Sequence, residues 1–207
     1  MSQATLIRLP KYYRYLKEKL KEGIENISST VISLDLKLSS IQIRKDLALV
    51  SDIAGKPKTG FNTKELIISL EKFLGYDNTN QAVLVGVGKL GEALLSYDGF
   101  NNYGLNIVMA FDKNEKLYDK NINGKYILPL EKMENLIKRL NIHMGIITVP
   151  VESAQEICDA MVKSGIKAIW NFAPTHLNVP ENIVIKSEDM AESLAILSNK
   201  LNKIMKN

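Results

Sequence analysis

Gln81-Ala82-Val83-Leu84-Val85-Gly86-Val87-Gly88-Lys89-Leu90-Gly91-Glu92-Ala93-Leu94-Leu95 is the stretch that decides the fold of most of this chain. Gln81 to Val85 is a short apolar run of the kind that makes a buried strand, and it passes directly into G-x-G-x-x-G and then into a helical segment. The glycine pattern alone is weak evidence; between a strand and a helix it is the phosphate-binding turn of a Rossmann fold. Gly86 permits the tight turn, Gly88 lets backbone approach a pyrophosphate, and Gly91 lets helix lie close on strand. The helix N-terminus then faces the phosphate charge. Val87, Lys89 and Leu90 complete the loop as candidate ligand contacts.

Downstream, Leu105 to Phe111 reads as a second strand ending at Asp112, 21 residues after Gly91. An acid there meets the ribose hydroxyls of the adenosine and repels a 2′-phosphate, which predicts NAD(H) over NADP(H). Lys113 follows and tempers that preference. A strand near Tyr126–Leu128, a helix to about Leu140, a strand Gly145–Val149 ending in Pro150, a helix Ser153–Ser164, a strand Ala168–Trp170 and a short strand at Ile183–Ile185 continue the alternation of a doubly wound parallel sheet. Ligands bind at the carboxyl ends of such strands, so Val149, Pro150, Asn171, Phe172, Ala173 and Pro174 are expected to flank the nicotinamide half. A last amphipathic helix, Met190 to about Met205, has no sheet left to cover. Its stripe of Leu194, Leu197, Leu201 and Ile204 is suited to another subunit. The alternative reading is a Rossmann-like domain without a nucleotide.

Upstream, a boundary is expected near Asn78, inside Asp77-Asn78-Thr79-Asn80-Gln81. The chain has 207 residues and a formal charge of +4; residues 1–78 hold 13 Lys/Arg against 9 Asp/Glu, and residues 79–207 hold 14 against 14. The excess sits in residues 37–64, with six bases (Lys37, Arg44, Lys45, Lys56, Lys58, Lys64) and two acids (Asp46, Asp52). Such a patch suits a polyanion. A solvated charged face is the alternative.

Leu6, Leu9, Tyr13, Leu16 and Leu20 form one helical stripe that Gly23 stops, and Ser28-Ser29-Thr30 caps a short second helix carrying Val31, Ile32, Leu34 and Leu36. Ser39 and Gln42 around Ser40-Ile41 match a capping box for a third. At 100° per residue Ile43, Leu47 and Val50 face inward, while Ile41, Arg44, Lys45 and Ala48 face outward. Two cations beside apolar groups fit a DNA major groove, with an ordinary amphipathic helix as the alternative. Ala54-Gly55-Lys56-Pro57-Lys58-Thr59-Gly60-Phe61 then reads as a basic wing, and Thr63 to Leu74 as a capped helix. Ser39, Ser40, Ile41, Gln42, Arg44, Lys45, Lys56, Lys58 and Gly60 are the candidate DNA contacts.

Other function classes fit less well. A single cysteine, Cys158, forms no internal disulfide and supplies no cysteine-based zinc site, so a reduced, cytoplasmic protein without metal is expected. Charged residues interrupt the N-terminal apolar residues, and nothing reaches the length of a membrane span. For hydride-transfer catalysis the candidates are few. His143 lies at the wrong end of a strand, His176 follows the Ala173-Pro174 loop at the ligand end, and Cys158 reads as core. No second substrate domain fits, so the nucleotide is expected to act as a signal rather than a reagent, and no catalytic residue is assigned. A small NAD-dependent oxidoreductase dependent on His176, and a nucleotide-binding scaffold indifferent to Arg44 and Lys45, stay open.

Beyond these readings, the chain resembles the Rex family of bacterial redox-sensing repressors. The likeness runs through Leu9-Pro10-Lys11-Tyr12-Tyr13-Arg14-Tyr15-Leu16, Ser39-Ser40 with Gln42-Ile43-Arg44-Lys45-Asp46-Leu47, and Gly86 to Gly91. It continues in Leu94 to Phe100, Ala110-Phe111-Asp112, Val149-Pro150, Ala154-Gln155, Gly165-Ile166-Lys167 and Asn171 to Pro174. The resemblance implies a winged-helix domain over 1–78, a Rossmann NAD(H) domain over 79–188, and a helix over 189–207 exchanged between the subunits of a homodimer. It implies binding to a palindromic DNA operator with NAD⁺ or no ligand, and release by NADH as a regulatory ligand. It also implies a switch: Tyr97 matches a tyrosine that senses reduced nicotinamide, Asp189 its partner from the other subunit, and Arg14 the base competing for that aspartate. Two features depart from the family pattern. Lys89 stands where many members have Asn, and the wing differs in length and sequence.

Overall fold

The computed structural model describes residues 1–51, 59–78 and 80–206. The chain divides into two compact units, Met1–Asn78 and Thr79–Asn207.

In the first unit α1 spans Gln3–Lys21, β1 Asn26–Ile27, α2 Ser29–Leu36, α3 Ser40–Ala48, β2 Phe61–Asn62 and α4 Thr63–Leu74. Leu9, Tyr13 and Leu16 of the predicted α1 stripe are buried, as are Tyr12 and Tyr15; Leu6 stays 46% exposed. On α2 only Ile32 is buried, although Ser28 caps the helix as expected by accepting from the Val31 amide. β1 and β2 pair antiparallel, Asn26 with Asn62 and Ile27 with Phe61, and form a short two-stranded stem. Gly60 sits at φ +80°, and a Cβ there would collide with the Ile27 carbonyl, so this stem requires glycine. The predicted wing residues Lys56 and Lys58 lie outside the described residues.

In the second unit β3 spans Asn80–Val85, α5 Lys89–Ser96, β4 Leu105–Asp112, β5 Asn121–Ile122, β6 Lys125–Pro129, α6 Met133–Leu140, β7 Met144–Ile147, α7 Val151–Ser164, β8 Ala168–Asn171, β9 Val184–Ser187 and α8 Met190–Met205. Among the described residues the sheet order is β5-β6-β4-β3-β7-β8-β9, parallel except for the β5–β6 hairpin, which periodicity did not reveal. Both faces of β3 are covered. Val83 and Val85 pack with residues of α6 and α7, while Ala82 and Leu84 pack with Leu95 of α5. A strand buried on both sides has no polar face, which is why Ala82 to Val85 is a run and not an alternation. The order of strands reverses at β3, with β4 on one side and β7 on the other, and in such sheets ligands bind in the crevice beyond the carboxyl ends of these strands.

None of the side chains of α8 is buried. Met190, Leu194, Ile196, Leu197, Leu201, Ile204 and Met205 are each at least half exposed.

A glycine-loop cleft and a cationic helix

The turn after β3 continues the sheet before it leaves it: the Gly86 amide donates to the Phe111 carbonyl at 2.9 Å, and the Thr148 amide to the Val85 carbonyl at 2.9 Å. Gly86 has φ +97°, and a Cβ on it would lie 2.7 Å from Val149 Cγ1 and 2.9 Å from the Thr148 carbonyl carbon. A Cβ on Gly91 would collide with the Gly86 carbonyl oxygen. At Gly88 a Cβ would meet nothing, so this glycine leaves open space beside the loop. Gly88 is also the N-cap of α5 and supplies no side-chain cap, which leaves first-turn amides of α5 for an anion.

Two side chains brace the loop. Asp112 Oδ2 accepts from the Val87 amide at 2.6 Å while Oδ1 accepts from the Asn114 amide at 2.8 Å. From the other flank Thr148 Oγ1 lies 2.6 Å from the Gly86 carbonyl, to which it donates, and 3.1 Å from that of Val85. Thr148 was not foreseen from sequence; a lone hydroxyl ending the apolar run Ile146-Ile147 was the available signal.

The cleft so formed holds about 560 Å³ and is lined by Gly86, Val87, Gly88, Asp112, Lys113, Thr148, Val149 and Pro150, with Leu117, Leu130 and Ile157 as its apolar walls and Glu156 at its rim. Of the other predicted contacts, Lys89 and Leu90 are exposed on the first turn of α5, and Gly91 is buried beneath it. Of the expected nicotinamide flank, Val149 and Pro150 line this cleft, whereas Asn171, Phe172, Ala173 and Pro174 fall outside its lining. The Asn171 side chain, fully buried, accepts from the Ala173 amide at 2.9 Å and donates to the Ala173 and Thr175 carbonyls, each at 3.1 Å, and to Ser187 Oγ at 3.2 Å. Asn171 therefore builds the loop that carries Ala173 and Pro174. Phe172 packs on Trp170 at 4.7 Å. Tyr97 follows α5 directly, is half exposed, and meets Phe100 edge-on at 4.9 Å.

The groups considered for catalysis do not converge on the cleft. His143 Nδ1 lies 3.5 Å from the Gly165 carbonyl at the amino end of β7, and His176 is exposed on the Thr175-His176 loop. Cys158 is fully buried on α7, and burial pushes its thiol up to about 11. No group of His, Cys, Asp and Glu among the described residues is arranged to hold a metal.

In the first unit α3 presents Ile41, Arg44, Lys45 and Ala48 outward and buries Ile43 and Leu47, as helical periodicity predicts; Val50 lies past its end and is half-buried. The predicted capping box does not form. Ser39 is the N-cap but its side chain accepts nothing, and Gln42 turns away to donate to Asp46 Oδ1 at 2.9 Å. Asp46, one of the two acids within the basic patch, is 1% exposed. It accepts from Arg8 Nε at 2.7 Å and Nη2 at 3.0 Å, from the Tyr12 hydroxyl at 2.9 Å and from Thr5 Oγ1 at 3.3 Å. Burial opposes its ionisation, but the bonds from Arg8, Gln42 and Tyr12 win and hold the carboxyl below its usual range. Burial, then the same carboxylate, push the Tyr12 hydroxyl up to about 12. The network fastens α3 to α1, so the exposed cations stand on a fixed helix.

Arg14 is exposed on α1, with no ion pair among the described residues. Asp189 caps α8 by accepting from the Ala191 and Glu192 amides at 2.8 and 3.3 Å.

Comparison with known proteins agrees with this division. Residues 1–48 match the family described as "Putative DNA-binding protein N-terminus", and residues 77–175 match "CoA binding domain". A redox-sensing transcriptional repressor Rex of Treponema denticola is 40% identical over 94% of this chain and 92% of its own. One of Bacteroides fragilis is 42% identical over 97% and 90%. The crystal structure of RSP, a Rex-family repressor, in complex with β-NAD⁺ and operator DNA superposes with a TM-score of 0.93 at 36% identity, covering 99% of this chain and 94% of that one. Its complex with β-NADH gives 0.90, covering 99% and 96%. With such identity over nearly the whole of both chains, this chain belongs to the Rex family of redox-sensing transcriptional repressors.

Proposed function

We propose that this chain is a DNA-binding repressor that reads the NADH/NAD⁺ ratio, bound to a palindromic operator as a homodimer with NAD⁺ or no ligand and released by NADH. What carries the reading is the presence, in one member of this family, of a braced glycine loop and of a helix whose Arg44 and Lys45 are exposed and anchored from behind. The loop amides of α5 suit the pyrophosphate, and the space kept at Gly88 suits its approach. Asp112, already bound to two amides, has lone pairs left for the ribose hydroxyls and repels a 2′-phosphate. Arg44 and Lys45 suit guanine edges and phosphates, and Ile41 a thymine methyl. Lys56 and Lys58 join them as backbone contacts in this reading, and Ser39 and Ser40 sit where α3 begins.

Seven bare apolar side chains along α8 favour a second copy of the chain, because so large an exposed stripe is costly in a monomer. Division into 1–78, 79–188 and an exchanged helix at 189–207 belongs to the same proposal. So does the switch, in which Arg14 and Tyr97 compete for Asp189 across the dimer. Neither a substrate site nor a catalytic group is invoked, and a partner that is operator DNA places the protein in the cytoplasm. No helix among the described residues is long and apolar enough to cross a membrane.

The experiment is DNA binding of the full chain to a labelled palindrome, titrated with NADH, NAD⁺ and NADPH. Release by NADH at concentrations where NAD⁺ and NADPH leave the complex intact is expected. Absence of sequence-specific binding at low salt, or indifference to NADH, would sink the reading; removal of α8 should at the same time leave a monomer.

A further inference from the structure

We infer that Trp170, through its hydrogen bond to Glu188, is the positioning residue that links the ring of Tyr97 to the start of α8. The inference rests on the NADH-release reading above. α5 begins at the glycine loop and ends at Tyr97, so eight helical residues join the phosphate turn to that ring. From there the aromatic rings follow one another in contact, edge-on in the first two pairs and tilted in the third. Tyr97 meets Phe100 at 4.9 Å and 82°, Phe100 meets Trp170 at 5.7 Å and 77°, and Trp170 meets Phe172 at 4.7 Å and 51°. Trp170 is half-buried on β8, and its Nε1 donates to Glu188 Oε1 at 3.0 Å. The backbone makes the same junction, for the Glu188 amide donates to the Asn171 carbonyl at 2.8 Å. The next residue is Asp189, whose carboxylate caps α8.

The chemistry of each link is specific. Aromatic rings edge to face have a preferred geometry, so a ring that moves displaces its neighbour rather than sliding past it. An indole N–H has a single donor and no acceptor, so its direction fixes where the Glu188 carboxylate sits. The competing cation is Lys186, whose Nζ is 3.9 Å from Glu188 Oε2 and itself donates to the Ser187 carbonyl at 2.9 Å. Lys186 is exposed, Glu188 is only half-buried and the separation is long, so this pair is weak beside the indole bond. Loss of the indole bond therefore frees the side chain of Glu188, the residue directly before the α8 cap Asp189, without touching the cleft lining or α3.

A coupling free energy measured across these contacts tests the route. The test compares the full-length wild type, Trp170→Phe, Glu188→Ala and Glu188→Gln. For each, three affinities are measured: NADH without DNA, DNA without NADH, and DNA at saturating NADH. In the wild type NADH is expected to weaken DNA binding by roughly 5 to 150-fold. Trp170→Phe and Glu188→Ala should cut that factor to about 2-fold or less, while the two separate affinities stay within about 3-fold of wild type. Glu188→Gln keeps a carbonyl acceptor for the indole and should retain the factor, which a merely structural role for the carboxylate charge would not predict. Trp170 is the only tryptophan in the chain, so its emission reports loss of the Glu188 bond directly in Glu188→Ala. Wild-type release by NADH in both Trp170→Phe and Glu188→Ala overturns the inference and leaves the function standing. No release in the wild type overturns the function, and the inference with it.

Discussion

The exposed face of α3 is held in place by a side chain, whereas the nucleotide cleft is shaped by backbone and by atoms its glycines lack. Behind Arg44 and Lys45 one buried carboxylate, Asp46, collects bonds from α1 and from α3 itself. Around Gly86 to Gly91 the shape comes from sheet hydrogen bonds, from close approach at Gly86 and Gly91, and from open space at Gly88. A small helical domain has no sheet to fix its angles, so a directional polar network sets them. A parallel sheet already fixes its strand ends to a fraction of an ångström, and the loop needs only to be small. The two regions should therefore break in opposite ways, one by deleting atoms and one by adding them.

The largest effect is expected at Asp46. Asp46→Ala removes the acceptor shared by Arg8, Gln42, Tyr12 and Thr5 and leaves the buried Tyr12 and Thr5 hydroxyls without it, a change that costs about 3–4 kcal/mol. Urea unfolding followed in the first unit should lose that much while NADH binding by the second unit persists; equal loss in both units would break the contrast. The pH dependence has a definite sign. The folded carboxyl lies below its ordinary value of 3.8, so its contribution is full above that pH and is lost as pH falls through the folded value. DNA binding should thus fail in acid before NADH binding does.

Gly91→Ala is the converse test, because its single added carbon has no room beside the Gly86 carbonyl. Forcing the loop open should weaken NADH binding on the order of 100-fold, equivalent to about 3 kcal/mol, with DNA binding in the absence of ligand unchanged. Gly88→Ala sharpens the point. Its Cβ meets nothing in the protein, so folding should be unaffected while the pyrophosphate is crowded. Normal NADH affinity in both variants would remove the backbone argument.

Asp112 stands between the two regimes, a side chain in a backbone-built site. Asp112→Ala removes both the brace on the Val87 amide and the charge facing a 2′-phosphate, and should weaken NADH about 10-fold while narrowing the gap to NADPH. Asp112→Asn keeps one acceptor oxygen for the Val87 amide and loses the charge together with the bond from the exposed Asn114 amide. NADH affinity close to wild type with a reduced preference over NADPH would separate bracing from repulsion. An unchanged ratio in both variants would mean that the carboxylate does not face the ribose.

The same division explains what the residues disclosed on their own. Patterns one backbone element long were legible: the glycine loop, the inward pair Ile43 and Leu47, the strand end at Asp112, and the unsatisfied stripe on α8. Partners far apart in sequence were not. Asp46 is 38 residues from Arg8, and nothing local distinguishes a buried acid beside Arg44 and Lys45 from a solvated one. Thr148 is 62 residues from the carbonyl it supports. Gln42 occupied the right position for a capping box and was drawn instead to the stronger, charged acceptor one turn away. Strand ends bind ligands, which points to Asn171 as a contact. Its own loop had polar groups to satisfy inside a buried corner, and that need consumed its side chain.

The smallest effect is expected at Cys158, and its smallness is informative. The thiol is fully buried in the aliphatic core on α7, and burial, helped by the neighbouring Asp159 charge, pushes it up to about 11. Near neutral pH it is therefore protonated as well as shielded, and the thiolate is the reactive form. Thiol reagents should modify the native protein at less than about a tenth of the rate seen on the unfolded chain. Because the folded value is raised, its contribution to stability is complete below the ordinary value of 9.0 and is lost as pH rises toward about 11. If oxidant at pH 7 altered DNA release to the extent that NADH does, a side chain of the sheet unit would be carrying the signal. If oxidant changes nothing while NADH acts, redox state reaches the DNA only through what the glycine loop holds, which is the sharpest form of the contrast between a site built from side chains and one built from backbone.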